Sequence, residues 1–449
     1  MKRKLLVALT GAIIAAGMTG TAVFAEENGV TVSENEESKT GYTVDFSYED
    51  EKATNVNLIG GFQFYKSGDI QVYANGFVLP ANDSQANHCI EADQWEPDQN
   101  LKHLNDTGST VEMKNEDGKW SVSLDLPGGY YMYQYSVSYD GGETYETVTD
   151  PQNVPACNEE LSADQTRSQF FVPYDEKQGE EKDYYDWSWA LPVEDEADKG
   201  SVEALVYEGL DGEQQAEIYL PAGYDEDSET PYKVLYLSHG GGGNEGDWFY
   251  QGHAGDIIDR LIADGSSEPF VVVCMDNSPY VEQFNTPEDS KKASGDTNYF
   301  LYCYKNIKEY LIPYVEENYN VSSERSERAF AGLSNGAKLT SQILIHDPEE
   351  FGYYGLFSGS SAWAWEEKED YSAEQSANIY LAAGWADQLM MQNSYHTEKD
   401  KTLMGMKELL DGAEIPYNNG GSYVTVEGAH DWFTWMQILE DYVSTTLWK

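Results

Sequence analysis

The chain has 449 residues, more than a single hydrophobic core usually serves, so two domains are expected. Hydrophobic residues make up 40% and aromatic residues 13%, a composition typical of folded proteins and not of disordered ones. The formal net charge is −53, so the surface repels nucleic-acid phosphates and anionic lipids. We therefore expect no nucleic-acid partner, whereas a neutral polymer such as a polysaccharide is a compatible one.

The first 25 residues have the pattern of an export signal. The basic start Lys2–Lys4 precedes an apolar run, Leu5–Ala16, that is too short to span a bilayer. Val23–Ala25 offers a small-residue cleavage site before Glu26. The competing interpretation is an uncleaved membrane anchor. We expect residues 1–25 to be a signal peptide and the mature chain to be secreted, with no membrane contact after cleavage.

The four cysteines favour structural roles over catalysis. Cys89 and Cys157 are candidates for a disulfide after export, and their pairing stays open. Cys274 lies in an apolar run typical of a strand and Cys303 in a helical pattern, so both are expected to be buried. The cysteine spacings match no zinc-binding pattern, and we expect neither a metal nor an organic cofactor.

The first half of the chain has the pattern of β-structure. Residues 26–40 are acidic and polar without periodicity, which predicts a flexible start, and residues 41–172 predict a β-sandwich domain. Within it, Trp120–Leu126 alternates between apolar and polar residues, Pro127–Gly129 predicts a turn, and Tyr131–Tyr135 alternates again. We interpret this unit as a β-hairpin.

Residues 173–202 are rich in charged residues and predict an acidic linker, although Trp187 and Trp189 are candidates for docking on a neighbouring surface. In residues 203–449 strands and helices alternate. Predicted strands lie near 216–220, 234–237, 269–275, 328–331, 379–383 and 423–426, and predicted helices near 254–263, 299–319, 335–346, 397–410 and the C-terminus. This alternation predicts an α/β domain with a mostly parallel sheet covered by helices on both faces.

The segment Gly332–Gly336 has the G-x-S-x-G pattern, with an apolar strand before it and a helix after it. This context is typical of a nucleophile elbow, a sharp turn that lifts the serine hydroxyl out of the sheet edge. The N-terminus of the following helix also stabilises negative charge. Ser334 is therefore the candidate nucleophile. The alternative is a glycine-rich turn in which Ser334 only caps the helix.

A serine hydroxyl needs a general base at neutral pH. Of the histidines after the elbow, His346 lies at the far end of its helix and His396 in polar sequence before a helix. His430 follows the last predicted strand, where an α/β-hydrolase carries its base, and helix capping is its alternative role. Asp387 follows the predicted strand 379–383 and completes the chain order Ser, Asp, His. It is the candidate acid, with a solvated loop residue as the alternative.

The glycine-rich loop Tyr236–Gly243 follows an early strand. It is similar to the loop that supplies one backbone amide of an oxyanion hole, and the second amide comes from the residue after the nucleophile. Gly241 and Asn335 are the candidate donors, each worth about 3 kcal/mol to a tetrahedral intermediate. His239 is expected to be structural. The alternative for the loop is a flexible turn.

Several separated motifs carry a family resemblance. They are the His239 loop, Asp247–Phe249, Leu261–Gly265, Ala331–Ser334, and Gly428–Asp431 followed by Trp435. Together they resemble carbohydrate esterase family one, which includes feruloyl and acetylxylan esterases and is close to the esterase-D and enterochelin-esterase group. The resemblance implies an α/β-hydrolase fold, with Ser334 as nucleophile, Asp387 as orienting acid and His430 as base. Family members often have Met-Gly-Gly after the nucleophile, whereas this chain has Asn335–Ala337, which changes a side chain near the acyl pocket.

Weaker motifs lie in the first domain, at Gly60–Phe62, the Trp120 hairpin and Asp150–Pro151. They resemble immunoglobulin-like modules of the starch- and glycogen-binding type that precede some such esterases. Exposed aromatic side chains can stack on sugars, but most Trp and Tyr side chains of a sandwich belong to its core. Sugar binding by this domain therefore stays open.

The resemblance implies a secreted serine esterase that acts on an ester-substituted plant polysaccharide, with feruloylated arabinoxylan as the first expectation. An acetylxylan esterase and a siderophore esterase of the enterochelin type are alternatives, and a non-catalytic polysaccharide-binding protein is the alternative from another class. Residues 276–299 lack a helix or strand pattern, which is typical of functional loops. Trp248 and Tyr280 are expected to line a slot for an aromatic acyl group, or else to pack on the sheet edge. The acyl group, the polymer and the oligomeric state stay open.

Overall fold

The computed structural model describes residues 23–66, 70–72, 78–80, 90–103, 109–154, 166–210, 212–277, 299–360, 370–385, 387 and 403–449. Within these ranges the chain forms an all-β domain followed by an α/β domain. None of the helices in these ranges combines the length and the apolar character that a membrane crossing requires.

The first domain is built from short antiparallel strands. They are β1 (Val23–Asn28), β2 (Val30–Glu34), β3 (Tyr42–Glu49), β4 (Asn55–Gly60), β5 (Gln63–Lys66), β6 (Ile70–Val72), β7 (Val78–Pro80), β8 (Ile90–Glu91), β9 (Leu101–His103), β10 (Ser109–Glu112), β11 (Lys114–Glu116), β12 (Lys119–Leu124), β13 (Gly129–Ser138), β14 (Glu146–Val148) and β15 (Ser168–Val172). One five-stranded sheet has the order β1-β2-β3-β12-β11, and the other has the order β10-β4-β13-β14, with β15 also paired to β13. Aromatic side chains from both sheets, including Phe46, Trp120 and Tyr133, share one core.

The predicted flexible start at residues 26–40 is wrong, because β2 lies inside it. Val30 and Val32 are only 2% and 1% exposed, and β2 pairs with β3 along its whole length. Burial of these two valines favours an ordered strand despite the acidic composition around them. β1, which pairs with β2, contains the cleavage point predicted before Glu26.

The predicted hairpin is also wrong. β12 pairs with β3 and β11, whereas β13 pairs with β4, β14 and β15, so the two strands lie in opposite sheets. Trp120 from one sheet and Tyr131, Tyr133 and Tyr135 from the other are all buried in the core. An alternating pattern shows only that one face of a strand is buried, and both strands satisfy it from opposite sides of the same core.

The segment predicted as a linker is an ordered connection. It contains the short helix Lys182–Tyr185 and the 3₁₀ turns Glu176–Gln178, Ser188–Ala190 and Glu196–Asp198. Trp187 is 3% exposed, and its ring lies on Tyr130 of the first domain and Phe433 of the second, with centroid distances of 6.1 and 4.5 Å. Trp189 packs on Trp187. The docking expected of these tryptophans therefore joins the two domains.

The second domain has one eight-stranded sheet of order β16-β17-β19-β18-β20-β21-β22-β23. Its strands are β16 (Ser201–Gly209), β17 (Gly212–Leu220), β18 (Lys233–Ser238), β19 (Phe270–Met275), β20 (Arg328–Leu333), β21 (Tyr353–Phe357), β22 (Asn378–Gly384) and β23 (Val424–Val426). The pairings β16–β17 and β17–β19 are antiparallel, and all the others are parallel. The parallel strands therefore end at one common edge.

Helices cover both faces of this sheet, with a separate apolar core on each face. They are Asp247–Tyr250, Ala254–Ala263, Tyr299–Asn306, Ile312–Asn318, Asn335–His346, Ser372–Gln375, Leu403–Gly412 and Trp432–Thr445. The predicted helix 299–319 is continuous but has a π-helical turn at Ile307–Leu311, just before Pro313, whose ring nitrogen has no N–H to donate. Cys274 and Cys303 are buried free thiols, whereas Cys89 and Cys157 lie outside the described residues.

Candidate active site

Ser334 lies between β20 and the helix Asn335–His346, at the common edge where the parallel strands end. Its backbone has φ 51° and ψ −110°, a conformation that a non-glycine residue adopts only under strain. A Cβ built on Gly336 would lie 2.5 Å from the Ser238 carbonyl oxygen, so only glycine allows the helix to approach β18 this closely. The predicted elbow context is present, and the serine side chain is partly exposed.

The structure brings the three predicted triad residues together. His430 Nε2 lies 3.0 Å from Ser334 Oγ, and His430 Nδ1 lies 3.0 Å from Asp387 Oδ2. Because a carboxylate only accepts hydrogen bonds, Nδ1–H donates to Asp387, and Nε2 is left to accept the serine hydroxyl. This tautomer is the one a general base requires.

The acid and the base come from neighbouring strand ends. Asp387 follows β22 and is fully buried, and His430 follows β23. Trp385 N–H donates to the Val426 carbonyl at 2.7 Å, and a Cβ on Gly384 would lie 2.5 Å from the Gly428 carbonyl oxygen. The two loops thus touch through their backbones, which fixes the separation of acid and base.

The surroundings of His430 act on the pKa of its imidazole in opposite directions. Burial lowers the pKa of this imidazole, but the adjacent Asp387 carboxylate and, more weakly, Asp431 raise it, and the net pKa lies above the ordinary value of 6.5. The Lys338 ammonium acts in the opposite direction, lowering the pKa.

Asp431 caps the last helix by accepting the Thr434 N–H at 3.1 Å. The alternative role considered for His430, helix capping, therefore belongs to Asp431.

Hydrogen bonds of His239 and Asn277 fix the position of the predicted oxyanion loop. His239 is buried, its Nδ1–H donates to the Gly240 carbonyl at 2.7 Å, and its Nε2 accepts the Asn277 N–H at 3.0 Å. The Asn277 side chain in turn donates to Ser238 Oγ at 2.7 Å. His239 therefore has the expected structural role, because it joins the loop to the segment that follows β19 through hydrogen bonds.

The two predicted oxyanion donors flank the serine. Asn335 is the first residue of the elbow helix, and Gly241 lies opposite it: a Cβ on Gly241 would lie 2.8 Å from Asn335 Nδ2. Among the described residues, neither the Gly241 N–H nor the Asn335 N–H has a hydrogen-bond acceptor. Two free amides beside Ser334 form a geometry that can stabilise a tetrahedral oxyanion.

Of the two predicted substrate-binding residues, Trp248 and Tyr280, the structure describes only Trp248. Trp248 is fully buried, its Nε1–H donates to the Ser238 carbonyl at 3.0 Å, and its ring packs edge-on against Phe357 and Trp432. The prediction that it lines an acyl slot is wrong, because this ring packs into the core behind the oxyanion loop. Tyr280 lies outside the described residues.

The first domain contacts the loop that carries His430, a feature absent from the expectations above. Tyr65 Oη donates to Glu427 Oε2 at 3.0 Å, and Glu427 precedes Gly428 of that loop. The His103 ring stacks on Phe433 with a centroid distance of 4.9 Å and an interplanar angle of 23°. Sequence patterns offer no signal for either contact, since each joins residues that are hundreds of positions apart.

Lys338 is a further residue that the sequence reasoning missed. Its Nζ donates to Asn335 Oδ1 at 2.9 Å, which places a cation beside the elbow. Its position three residues after Asn335, one turn along the elbow helix, was the available signal. Within the described ranges, no group of three or more His, Cys, Asp or Glu side chains is arranged to hold a metal ion.

Comparison with known proteins agrees with this geometry. Residues 208–445 match the model of the Esterase family, described as "Putative esterase". An endo-1,4-beta-xylanase/feruloyl esterase of Xylanibacter ruminicola is 27% identical over 342 residues, which are 75% of this chain and 41% of that protein. Endo-1,4-beta-xylanase Y of Acetivibrio thermocellus is 28% identical over 171 residues, 36% of this chain and 14% of that protein. The chain thus spans less than half the length of either relative.

The enterobactin esterase FES of Shigella flexneri, solved in the presence of enterobactin, has a similar fold, with a TM-score of 0.51 at 16% identity. The likeness covers 93% of this chain and 96% of that structure, so it extends over both domains. The family model covers more than half of the chain and includes Ser334, Asp387 and His430. The α/β domain has the α/β-hydrolase fold, and the chain belongs to the Esterase family.

Proposed function

We propose that this protein is a secreted serine esterase that hydrolyses carboxylic esters on plant polysaccharide, with feruloylated arabinoxylan as its substrate. The observation that carries the proposal is the hydrogen-bonded series Asp387–His430–Ser334, with both contacts at 3.0 Å, at a strained elbow. The name of the Xylanibacter ruminicola relative supports the feruloyl and xylan assignment.

The mechanism follows from the positions of these atoms. His430 Nε2 takes the proton of Ser334 Oγ as the hydroxyl attacks the ester carbonyl. The Gly241 and Asn335 amides stabilise the resulting oxyanion, and the protonated imidazole gives its proton to the departing alcohol. His430 then takes a proton from the water that attacks the acyl-enzyme carbonyl. It returns this proton to Ser334 Oγ as the bond between the acyl carbon and Oγ breaks, which releases the acid and restores the free enzyme. Asp387 keeps the imidazole in the required tautomer throughout.

A siderophore ester is the second candidate, because the likeness to the enterobactin esterase extends over both domains. That likeness concerns the fold alone. A net charge of −53 opposes the approach of an anionic catecholate, whereas it does not oppose a neutral polysaccharide. We therefore rank the polysaccharide ester first.

We also propose that the first domain is an immunoglobulin-like module that binds the polymer. Its two five-stranded antiparallel sheets, which share a core, support this assignment. Phe62 and Trp120, which carry part of the sequence resemblance, are buried. In contrast, Tyr139 and Tyr145 are each 46% exposed beside the β13–β14 turn. Sugar stacking would therefore use Tyr139 and Tyr145. The export-signal pattern of residues 1–25 supports the proposed secretion.

The experiment that tests the main proposal compares the purified protein with Ser334→Ala on methyl ferulate, acetylated xylan and a catecholate siderophore ester. We expect hydrolysis of methyl ferulate with the highest kcat/KM, and loss of every activity in the variant. Covalent labelling by an organophosphonate, absent in Ser334→Ala, separates an esterase from a non-catalytic binder. Preference for acetylated xylan or for the siderophore would overturn the feruloyl assignment, and absence of labelling would overturn the esterase itself.

A further inference from the structure

The side chain of Asn335 has a defined orientation, because Lys338 holds one end of it. Lys338 lies one turn into the elbow helix, and its backbone N–H donates to the Ser334 carbonyl at 3.1 Å. Its Nζ donates to Asn335 Oδ1 at 2.9 Å. An ammonium group only donates hydrogen bonds, so the carboxamide must present its oxygen to Lys338. The opposite flip would set the amide NH₂ against a cation.

The other end of the same carboxamide faces the oxyanion loop. With Oδ1 bound to Lys338, Nδ2 lies on the side of Gly241, where an added Cβ would be 2.8 Å away from it. Gly241 is thus a position where glycine leaves room for the Asn335 side chain. Gly241 and Asn335 also carry the two backbone N–H groups that have no acceptor among the described residues. Gly241 and Asn335, the residues that flank Ser334, therefore carry three N–H-bearing groups between them.

We propose that the Asn335 side-chain amide is a third oxyanion donor, and that Lys338 is the positioning residue that orients it. The inference deepens the proposed esterase function and rests on it. The added donor would compensate for an open site, since Gly241 is exposed to solvent.

Loss of an oxyanion donor and loss of an acyl-pocket contact have different effects on kcat and KM. Every ester forms the same oxyanion, so loss of a donor lowers kcat for all esters by a similar factor and leaves KM nearly unchanged. Loss of an acyl-pocket contact instead raises KM for one acyl group. Lys338 touches no substrate atom in this scheme. At pH values above the acid limb, where His430 is already neutral, we expect its effect on kcat to pass through Asn335.

The experiment measures kcat and KM of the full chain and of Asn335→Ala, Lys338→Met and the double variant, on p-nitrophenyl acetate and methyl ferulate. We expect kcat to fall about 10- to 100-fold in Asn335→Ala, below the loss typical of a backbone donor. Lys338→Met should fall by a similar factor in the native background and by less than about twofold in the Asn335→Ala background, because coupled residues are not additive. Lys119→Met, at an exposed position of the first domain, is the matched charge control.

A second readout separates orientation from simple folding damage. Asp387, Asp431 and Lys338 are the charged groups that act on the partly exposed His430, and of these three charges only Lys338 lowers its pKa. Lys338→Met should therefore move the acid limb of the kcat/KM profile to higher pH, and Lys338→Arg should restore both the limb and kcat. Asn335→Ala should not move the limb.

Three outcomes would overturn the inference: a rise in KM with kcat unchanged, losses confined to one acyl group, or Lys338→Met and Asn335→Ala effects that multiply independently. Circular dichroism and the unfolding temperature of each variant exclude loss of the fold as the cause. If Ser334→Ala keeps its activity on the same two esters, the proposed esterase function fails first. That result is distinct from failure of the third donor.

Discussion

The Tyr65 hydroxyl of the first domain donates a hydrogen bond to Glu427 Oε2 at 3.0 Å, three residues before His430. Gln437 Nε2 also donates to the Glu427 backbone carbonyl at 3.0 Å, which ties this residue to the last helix. Glu427 is thus held from both domains. The first domain therefore supports the loop that presents the base, although it contributes no triad residue.

Tyr65→Phe should lower kcat/KM several-fold, because a hydrogen bond to a charged acceptor contributes about 1.5 to 3 kcal/mol and its loss frees the His430 loop. Steady-state kinetics on p-nitrophenyl acetate measure the effect. Tyr139→Phe is the matched control, since it removes a tyrosine hydrogen bond to Asp50 at an exposed site of the same domain. Equal kcat/KM values for the two variants would contradict support of the loop by the first domain.

The isolated fragment 203–449 should be poorly soluble or weakly active. Phe433 is 2% exposed in the full chain and packs on His103 and Trp187, both of which the fragment lacks. Exposure of such an aromatic patch favours aggregation and leaves the His430 loop without its support. Gel filtration and p-nitrophenyl acetate hydrolysis test this. A monomeric fragment with full kcat would show that the first domain does not support the His430 loop.

Ser334→Ala, His430→Ala and the double variant should lose activity to nearly the same extent, because triad residues act as one unit. Each loss should reach about 10⁶-fold in kcat if the triad operates as in other serine hydrolases. Single-turnover assays with p-nitrophenyl acetate provide the measurement. Turnover of His430→Ala within tenfold of the native value would assign the base to another residue.

The acid limb of kcat/KM against pH should have its midpoint above 6.5. The pKa of His430 is raised from 6.5 in the folded protein, and only the neutral imidazole can take the serine proton. Activity is therefore lost as the pH falls through this raised pKa. A profile of the free enzyme on an uncharged ester measures it, with unfolding followed at each pH. A midpoint below 6.5 would mean that burial outweighs Asp387 at this site.

Trp248→Ala should destabilise the protein without changing its acyl preference. The fully buried ring packs against Phe357 and Trp432, so truncation should cost about 3 to 5 kcal/mol of unfolding free energy. Denaturant unfolding measures this cost, and the ratio of kcat/KM for methyl ferulate to that for p-nitrophenyl acetate tests the preference. A fall in kcat/KM for methyl ferulate alone would show that Trp248 contributes to the acyl site after all.

Local sequence was sufficient for the parts of this protein that depend on short-range geometry. The pattern around Ser334 predicts a strand, a tight turn and a helix, and the structure has β20 and the helix Asn335–His346 there. Asp387 and His430 could also be predicted from the sequence. Parallel strands end at one edge of the sheet, and a residue just beyond each strand end must lie at that edge. Periodicity and chain order carry that information.

Only the tertiary structure decided what depends on contacts between distant segments. Alternation around Trp120 and Tyr133 indicates a buried face but not the sheet in which each strand lies, because strand pairing is non-local. Trp248 has the same sequence context whether it lines a pocket or fills a core, and its burial depends on Phe357 and Trp432. The contact of Tyr65 with Glu427 joins residues 362 positions apart, and no local pattern specifies such a hydrogen bond.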